Sequence, residues 1–493
     1  MRRLIEESRR MIRINSVSAN GNEELANYIV GLLKERGLKS FLQPVPHSVE
    51  DISKRQFNVV GILGDPLVDK KTRKGLLLST HLDTSSSGLP ENWTENLGSP
   101  LEMVIKEGRI FGLGVAGCKL DFLCKLHAIE RCLEKKLKMP IYLVGTCAEE
   151  CGMFGVKYLV KSLALNPKYV MVGEPTGMRT VYSHKYTCTF HVSIGFQMVE
   201  RDARGFNRRI DLSSFGRCAH GAYPAEGHNA LTQLIDLLRD AQNYGFDMRF
   251  TRIEGGDAPN KVPDHALARF FVTSHHFEDF KRFYRDTVLA ENKEKAFRLE
   301  FGGLGEAGVR FLPEKIFPCL MEITGFFREL VATFDGQSDP SFTPPTSTVN
   351  LEQIVQKTGS IDLSFDIRLL PQSSPEELEK RIREKIKLVA TAYPHLNVSV
   401  VRKSVTPSLN IALDHPLSRV CEEAMNEVEL KPEFSKLSTS TEAAVYSSSG
   451  YDSLVFGPGD SAGNSHGPNE SVKVEDLEKA VDFYERVIAK VCL

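Results

Sequence analysis

Residues 75–84 (GLLLSTHLDT) and 140–150 (PIYLVGTCAEE) are short apolar runs that each close on polar groups, and the segment between them, DFLCKLHAIERCLEKKL, has helical spacing. Apolar runs of strand length alternating with helices are what a parallel sheet requires, because helices cover both faces of each strand. Two more runs share the form. Residues 168–176 (KYVMVGEPT) deliver Glu174, and residues 452–461 (DSLVFGPGDS) lead into the loop that carries His466. In open α/β sheets ligands sit beyond the carboxyl ends of strands. The four ends are therefore expected to bring His81, Asp83, Glu149, Glu150, Glu174 and His466 to one side of one sheet.

The intervening sequence has a different rhythm. TCTFHVSIGF, ALARFFVTS and SIDLSFDIRLLP alternate as antiparallel strands do, and ALTQLIDLLRDA and PEELEKRIREKIKLVATAY are amphipathic helices. The pattern predicts an α+β domain over residues 184–403, inserted into an α/β domain built from residues 1–183 and 404–493. A chain of 493 residues with 41% apolar residues has the length for two or three domains of roughly 100–200 residues each. At the start, Leu4, Met11 and Ile12, then Leu25, Ile29, Leu32 and Leu33, mark two helices, the second closed by Gly37. Residues 302–345 are the least regular part and read as an elaborated loop or an extra helix pair.

Sixty-two basic against 64 acidic residues leave a formal charge of −2, which favours neither nucleic acid nor an anionic membrane surface as partner. A small neutral or mixed-charge substrate fits better. No apolar run approaches the roughly 18 residues that span a bilayer, and MRRLIEESRRMIRI is a charged amphipathic start without a signal-peptide core. The expectation is a soluble, cytoplasmic protein. Its ten cysteines show no CxxC pair, as expected of reduced thiols lying mostly in the core.

His81 and Asp83 lie two apart on an extended strand, so their side chains point the same way. That suits a metal-binding histidine oriented by an aspartate behind it; ordinary solvated strand-end residues are the plain alternative. Glu149 and Glu150 stand where a helix is expected to begin near Phe154. One of two such carboxylates can hold an ion while the other takes a proton from bound water and hands it to a leaving amine. An acidic first turn favoured by the helix dipole would look the same, and Glu174 alone would pass for a turn residue before Pro175.

Taken together, HLDT, GLGVAGCKLD, AEECGMFG, VGEPTG, RCAHGAYPAEGHNAL, FDIRLLP and FGPGDSAGNSHGPNESV resemble, in order and over nearly the whole chain, the zinc-dependent acetylornithine deacetylase, succinyl-diaminopimelate desuccinylase and aminoacylase family of metallopeptidases. The look is nearest to acetylornithine deacetylase. The resemblance implies a mostly parallel-sheet, di-zinc exopeptidase-like α/β catalytic domain with an inserted α+β lid and dimerisation domain, and hence a homodimer. It implies two zinc ions per subunit, with cobalt as a substitute, held by His81, Glu150, Glu174 and His466. Asp83 would orient His81, and Glu149 would be the general acid and base. His220, in RCAHGAYP, matches a histidine that reaches into the partner subunit's site to polarise the scissile carbonyl. Arg368 in FDIR matches a family arginine, with pairing across the sheet as the plain alternative. The implied reaction is hydrolysis of an N-acyl amino acid, N-acetylornithine first. Desuccinylation, dipeptide cleavage and non-catalytic binding on the same scaffold are the alternatives.

One position departs from that pattern. Where the family has a bridging aspartate, GLGVAGCKLD has Gly117, which offers no ligand atom. His81 and Glu174 would be left for one ion and Glu150 and His466 for the other, against the three or four protein ligands that zinc sites normally have. Cys118 is one residue off and faces the other way on an extended segment, and Asp121 falls where a carboxylate suits a helix start. Glu442 in STSTEAAVY also replaces the aspartate common there. The expectation is a deacylase scaffold whose metal occupancy and rate are lowered at Gly117.

Overall fold

The computed structural model describes residues 1–46, 55–65, 73–163, 165–200, 205–290, 295–304, 309–334, 336–461 and 463–493. The chain folds as two compact units: unit 1 is Met1–His184 with Pro407–Leu493, and unit 2 is Lys185–Thr406. Unit 1 begins with α1 (Arg2–Arg13), α2 (Glu23–Glu35), β1 (Lys39–Val45), β2 (Gln56–Leu63) and β3 (Leu76–His81). It continues with α3 (Cys118–Glu130), β4 (Ile141–Thr146), α4 (Phe154–Ser162), β5 (Tyr169–Gly173) and β6 (Thr180–His184). Unit 2 runs through β7 (Tyr186–Gly195), β8 (Phe206–Phe215), α5 (Ala230–Tyr244), β9 (Arg249–Gly255), β10 (His265–Thr273), α6 (Ser274–Ala290) and β11 (Phe297–Leu304). It closes with α7 (Ile316–Thr333), β12 (Thr348–Lys357), β13 (Ser360–Leu369), α8 (Pro375–Ala392) and β14 (Asn397–Thr406). The chain then re-enters unit 1 with β15 (Leu409–Asn410), α9 (Pro416–Glu427), β16 (Phe434–Leu437), α10 (Ala443–Ser448), β17 (Asp452–Val455) and α11 (Val474–Cys492).

The main sheet of unit 1 has the order β1-β2-β4-β3-β5-β17-β6-β15, with β16 beside β6. Its centre, β4-β3-β5-β17, is parallel, and its flanks are antiparallel except for β16, which runs parallel to β6. The central strands are the four whose apolar runs close on polar groups. Every residue of β3, β4 and β5 is buried, as continuous apolar runs in a sheet covered on both faces should be. Register does the positioning: His81 is level with Thr146, and Thr80 with Gly173, so the residues that follow β4 and β5 emerge at the same edge as His81.

Helix α3 is buried almost all round, so each of its polar side chains needs an internal partner. Asp121, expected to favour a helix N-terminus, instead faces inward, because the sheet and α11 enclose it. Lys125 Nζ lies 2.6 Å from Asp121 Oδ2 and donates to Ser79 O and Thr80 Oγ1, both at 2.7 Å. Thr80 donates to Asp121 Oδ2 at 2.7 Å, and the Tyr484 hydroxyl of α11 donates to Asp121 Oδ1 at 2.6 Å. Asp121 and Lys125 are both 0% exposed. Gly173 at the end of β5 makes this packing possible, since a Cβ there would lie 1.8 Å from Asp121 Oδ2 and 2.6 Å from Lys125 Nζ. Lys119 donates to Ile14 O at 2.9 Å, and burial lowers its pKa to about 8.

Unit 2 carries an antiparallel sheet of order β11-β8-β10-β9-β12-β13-β7-β14. Its helices pack on it to enclose one apolar cluster that includes Phe190, Ile210, Leu234, Phe270, Phe327 and Phe365. Of residues 302–345, positions 305–308 and 335 lie outside the described residues; the described part forms the end of β11 and the single long helix α7, with a short strand between them. The ten cysteines are free thiols, all buried except Cys151 and Cys218. Among the described residues no helix is long and apolar enough to cross a membrane.

Removing one member of a buried ion pair strands the other charge, at a cost of about 3–5 kcal/mol. Lys125→Met is expected to lose that much stability in urea unfolding, and Lys125→Met combined with Asp121→Leu to recover part of it. A loss below about 1 kcal/mol for Lys125→Met would show that the pair does not hold the sheet to α3.

Candidate active site at the strand ends of unit 1

Asp83 is the anchor of this edge. Its carboxylate is 0% exposed and accepts three hydrogen bonds, from Ser18 Oγ at 2.5 Å and from the backbone N–H groups of Glu149 at 3.1 Å and Glu150 at 3.2 Å. Burial opposes the charge, but His81, Ser18 and the Glu149 amide outweigh it and hold the carboxyl below its ordinary range. One buried anion thus fixes the backbone of both glutamates after β4. His81 Nδ1 donates to the backbone carbonyl of Asp83 at 3.0 Å, with Asp83 Oδ1 at 3.6 Å. The direct orienting contact therefore comes from the carbonyl of Asp83, with the carboxylate behind it. Burial opposes a charge on His81, but the Asp83 hydrogen bond and the charges of Glu174 and Glu149 outweigh it and hold the imidazole well above its ordinary value, so it is protonated near neutral pH.

Glu149, Glu150 and Glu174 are partly exposed at this edge. Desolvation pushes Glu149 well above the usual carboxylate range, opposed by His81 and assisted by the charges of Glu150 and Glu174. Glu174 is raised for the same leading reason. His466 Nε2 lies 2.8 Å from Glu150 Oε1, and this hydrogen bond raises the imidazole above its ordinary value. His81, Asp83, Glu149, Glu150, Glu174 and His466 are thus joined by contacts or by mutual electrostatics. His220 lies on unit 2, where its Nδ1 accepts from the Ala222 N–H at 3.0 Å and its Nε2 stands 3.0 Å from Asn260 Nδ2. Arg368 of the same unit donates to Asp366 Oδ2 at 3.0 and 2.9 Å, to Thr187 Oγ1 at 2.6 Å and to Asn260 Oδ1 at 2.6 Å.

Two further acids belong to this edge, and the sequence reading gave neither a site role. Glu470 is 3% exposed and accepts from the N–H of Ala116 at 2.7 Å and of Gly114 at 3.0 Å, so it clamps the loop that ends at Gly117. It stands inside the FGPGDSAGNSHGPNESV motif, four residues past His466, which was the available signal. Burial raises its pKa to about 7. Glu442 is 0% exposed, accepts from Thr146 Oγ1 at 2.8 Å, and leaves Oε1 without a hydrogen-bond partner. Burial raises it to about 8, so at neutral pH it is largely uncharged and adds little repulsion to Asp83 and Glu174.

Histidine Nε2 and carboxylate oxygens are donors of the kind zinc takes, but their arrangement does not fit a pair of ions sharing a carboxylate. Gly117 has φ +95°, a conformation that side-chain-bearing residues avoid. A Cβ on it would lie 2.5 Å from Pro175 Cδ, so the bridge position is closed as well as empty of ligand atoms. Glu150 and His466 are bonded to each other. Cys118, beside the gap, is pushed by burial to about 12 and stays a thiol. Among the described residues no three of His, Cys, Asp and Glu are grouped as one ion would require.

Gly117→Ala is expected to lose about 1–3 kcal/mol by chemical denaturation, from the positive φ and the Pro175 contact together; an unchanged midpoint would show that the loop adopts another conformation. Glu470 supplies a pH test. Its folded pKa is raised from 4.5 to about 7, so the folded state binds the extra proton. The associated stability is full below about pH 4.5 and is lost as pH rises through about 7. Relative to Glu470→Gln, the wild type should lose about 3 kcal/mol over that window; parallel stability curves for the two proteins would contradict the assignment.

Comparison with known proteins gives relatives of both sequence and fold. Acetylornithine deacetylase of Yersinia pseudotuberculosis is 29% identical over 280 residues, which are 52% of this chain and 64% of that enzyme. The acetylornithine deacetylase of Photorhabdus laumondii is 27% identical over 289 residues, 53% of this chain and 64% of that enzyme. The chain thus matches less than two thirds of the length of these relatives. Among solved structures, the aminoacylhistidine dipeptidase of Vibrio alginolyticus superposes with a TM-score of 0.69 at 15% identity, over 99% of this chain and 96% of that one. An M20 family metallo-carboxypeptidase from Sulfolobus solfataricus gives a TM-score of 0.59 at 17% identity, over 98% of each chain. These likenesses show a shared mixed α/β fold with separate catalytic and lid-like domains. The model of peptidase family M20/M25/M40 matches residues 77–490, from the second residue of β3 to the last turn of α11, and the chain belongs to that family.

Proposed function

We propose that this protein hydrolyses the amide bond of an N-acylated amino acid, with N-acetylornithine the first substrate to test, and that Gly117 makes it a slow catalyst. The observation that carries the reading is the fixing of Glu149: Asp83 holds its backbone N–H while desolvation raises its carboxyl. A carboxylate of raised basicity takes a proton from water more readily near neutral pH, and as the resulting acid it returns that proton to the departing amine. Asp83 keeps Glu149 and Glu150 in place through the cycle, and His81 is oriented through Nδ1 at the same edge. His220 is the candidate that the family likeness offers for polarising the scissile carbonyl.

The zinc pair that the family likeness implies has only two donors per ion here, which supports low occupancy by zinc or cobalt. N-succinyl amino acids are alternative substrates. So are dipeptides, a choice supported by the fold shared with an aminoacylhistidine dipeptidase. A second reading, binding of an N-acyl amino acid without turnover, is favoured by the closed position at Gly117 and by the Glu150–His466 pair. The homodimer that the likeness implies is kept as part of this reading.

Steady-state assays with N-acetylornithine, N-succinyl amino acids and dipeptides, each with added zinc or cobalt, test the proposal. Turnover of an N-acyl amino acid is expected, and Glu149→Gln should lower kcat at least about a hundredfold with little change in KM. Calorimetric binding without turnover would replace hydrolysis by the second reading. Failure to bind or cleave any of the three substrate classes would sink both.

A further inference from the structure

Strand β12 carries one residue too many for its partner. Opposite β13, Asn350 is level with Asp366 and Leu351 with Phe365, but Ser364 is level with Gln353, so Glu352 is the extra residue of a β-bulge. The bulge takes Glu352 out of the alternation. Leu351 and Ile354 keep their places in the apolar cluster, while Glu352 is left 3% exposed, on the pair of strands that also buries Asn350, Asp366 and Arg368. A carboxyl removed from water in this way needs a donor. Glu352 Oε1 accepts from the backbone N–H of Asn260, in the loop between β9 and β10. The two backbones approach closely there, since a Cβ at Gly256 would lie 2.0 Å from Glu352 O.

Asn260 is held at its side chain as well. Arg368 divides its fork among Asp366 Oδ2, at 3.0 and 2.9 Å, and Thr187 Oγ1 and Asn260 Oδ1, both at 2.6 Å. A guanidinium only donates, so it fixes the Asn260 amide with Oδ1 toward Arg368 and Nδ2 toward His220 Nε2, 3.0 Å away. The same stretch of chain carries the His220 backbone. Gly221 N–H donates to Asn260 O at 2.8 Å, Val262 N–H donates to Ala219 O at 2.9 Å, and His220 forms a β-bridge with Lys261. Asn350 Nδ2 donates to Lys261 O at 3.0 Å and so ties that stretch to β12. Gly221 lets the segments close, because a Cβ on it would lie 2.7 Å from Asp366 Oδ2. Glu352 is thus separated from the His220 ring by one residue, Asn260.

We propose that Glu352 is a positioning residue for His220: by closing on the Asn260 N–H beside the Asp366–Arg368 pair, it keeps the Asn260 amide on the imidazole. The charged groups that face Glu352 are Asp366 and Arg368 of β13. In the loop with Asn260, Lys261 is taken up by Asp257 at 2.9 Å and Asp264 at 3.3 Å. Burial and the Asp366 charge raise Glu352 to about 7, against the Asn260 amide and Arg368. Below that value the carboxyl is neutral, and Oε1 accepts from Asn260 without repelling Asp366. Above it two buried carboxylates share one guanidinium, and their repulsion works against the contact with Asn260. The hold on the imidazole therefore weakens as pH rises through about 7.

Nuclear magnetic resonance of the full chain with ring-labelled histidine, using His220→Ala to identify the signal, reads the placement of the imidazole without any need for turnover. At about pH 6, Glu352→Ala should shift the His220 ring signals by more than their line width, whereas Glu352→Gln, which keeps the acceptor and cannot ionise, should leave them in place. Between about pH 6 and about pH 8.5 the wild-type titration curve of His220 should part from that of Glu352→Gln above about 7, where only the wild type gains a charge. Unmoved signals in a folded Glu352→Ala protein would overturn the proposal. So would coincident curves for wild type and Glu352→Gln, a comparison that stands even where Glu352→Ala does not fold. A kinetic measurement rests on the role proposed for His220 in hydrolysis: Glu352→Ala should lower kcat about ten- to a hundredfold at unchanged KM, and Glu352→Gln should restore kcat at about pH 6. A glutamine variant as slow as the alanine variant counts against the proposal. If the wild type cleaves none of the substrates, the hydrolase reading fails and the resonance measurement still decides the role of Glu352.

Discussion

The ammonium of Lys125 sits where the structure of unit 1 is decided. It is wholly buried and bonded to the end of β3 through Ser79 and Thr80, it pairs with Asp121 one helical turn earlier on α3, and it is approached by β5 at Gly173. Tyr484 brings α11 to the same place. Such a pair gives little net stability over an apolar filling, but it is specific, because any other register of strand on helix leaves a charge without its partner. The strand ends that carry His81 and Glu174 are one residue beyond its contacts. The placement of those edge residues therefore depends on a cation that is itself buried beneath them.

Acids crowd the edge, and the fold distributes their charges unequally. Asp83 is kept ionised because three donors converge on it. Glu442, with one donor and a bare oxygen, is kept largely neutral at pH 7, and Glu470 titrates near neutrality against two backbone amides. Glu150 is balanced directly by His466. Burial without compensation raises a carboxyl, and converging donors lower it. By that rule Glu149, whose backbone is anchored but whose carboxyl is desolvated, is raised well above the usual carboxylate range, which is what its proposed role as proton carrier asks for.

Much of unit 1 was legible in the sequence because its signals are local. Apolar runs such as GLLLSTH and PIYLVGT identify buried strands, and the polar residues that follow them must leave the sheet at its edge. The acid-rich motifs were readable because they sit next to those runs. Asp121 was misread for the opposite reason. In sequence it is an acidic residue in the first turn of a helix; only packing on both sides of α3 turns it inward and supplies Lys125. Glu470 and Glu442 were missed as site residues because their partners, the Gly114 and Ala116 amides and Thr146, are hundreds of positions away in the chain.

Unit 2 shows where sequence pattern stops. Alternation correctly suggested antiparallel strands and amphipathic helices, but the strand-helix-strand-strand-helix-strand set from β8 to β11 interrupts a like set, β7 with α7 to β14, after its first strand, so no uninterrupted repeat appears along the chain. The sequence by itself determined the strands and helices, the motifs at the strand ends, and the absence of a side chain at Gly117, because each follows from residue type and short spacing. Only the tertiary structure decided that the Gly117 position is also closed, that Asp83 anchors both glutamates, and that two half-sheets join at β9 and β12. Those outcomes rest on contacts between segments remote in sequence, where shape and charge must be satisfied at once.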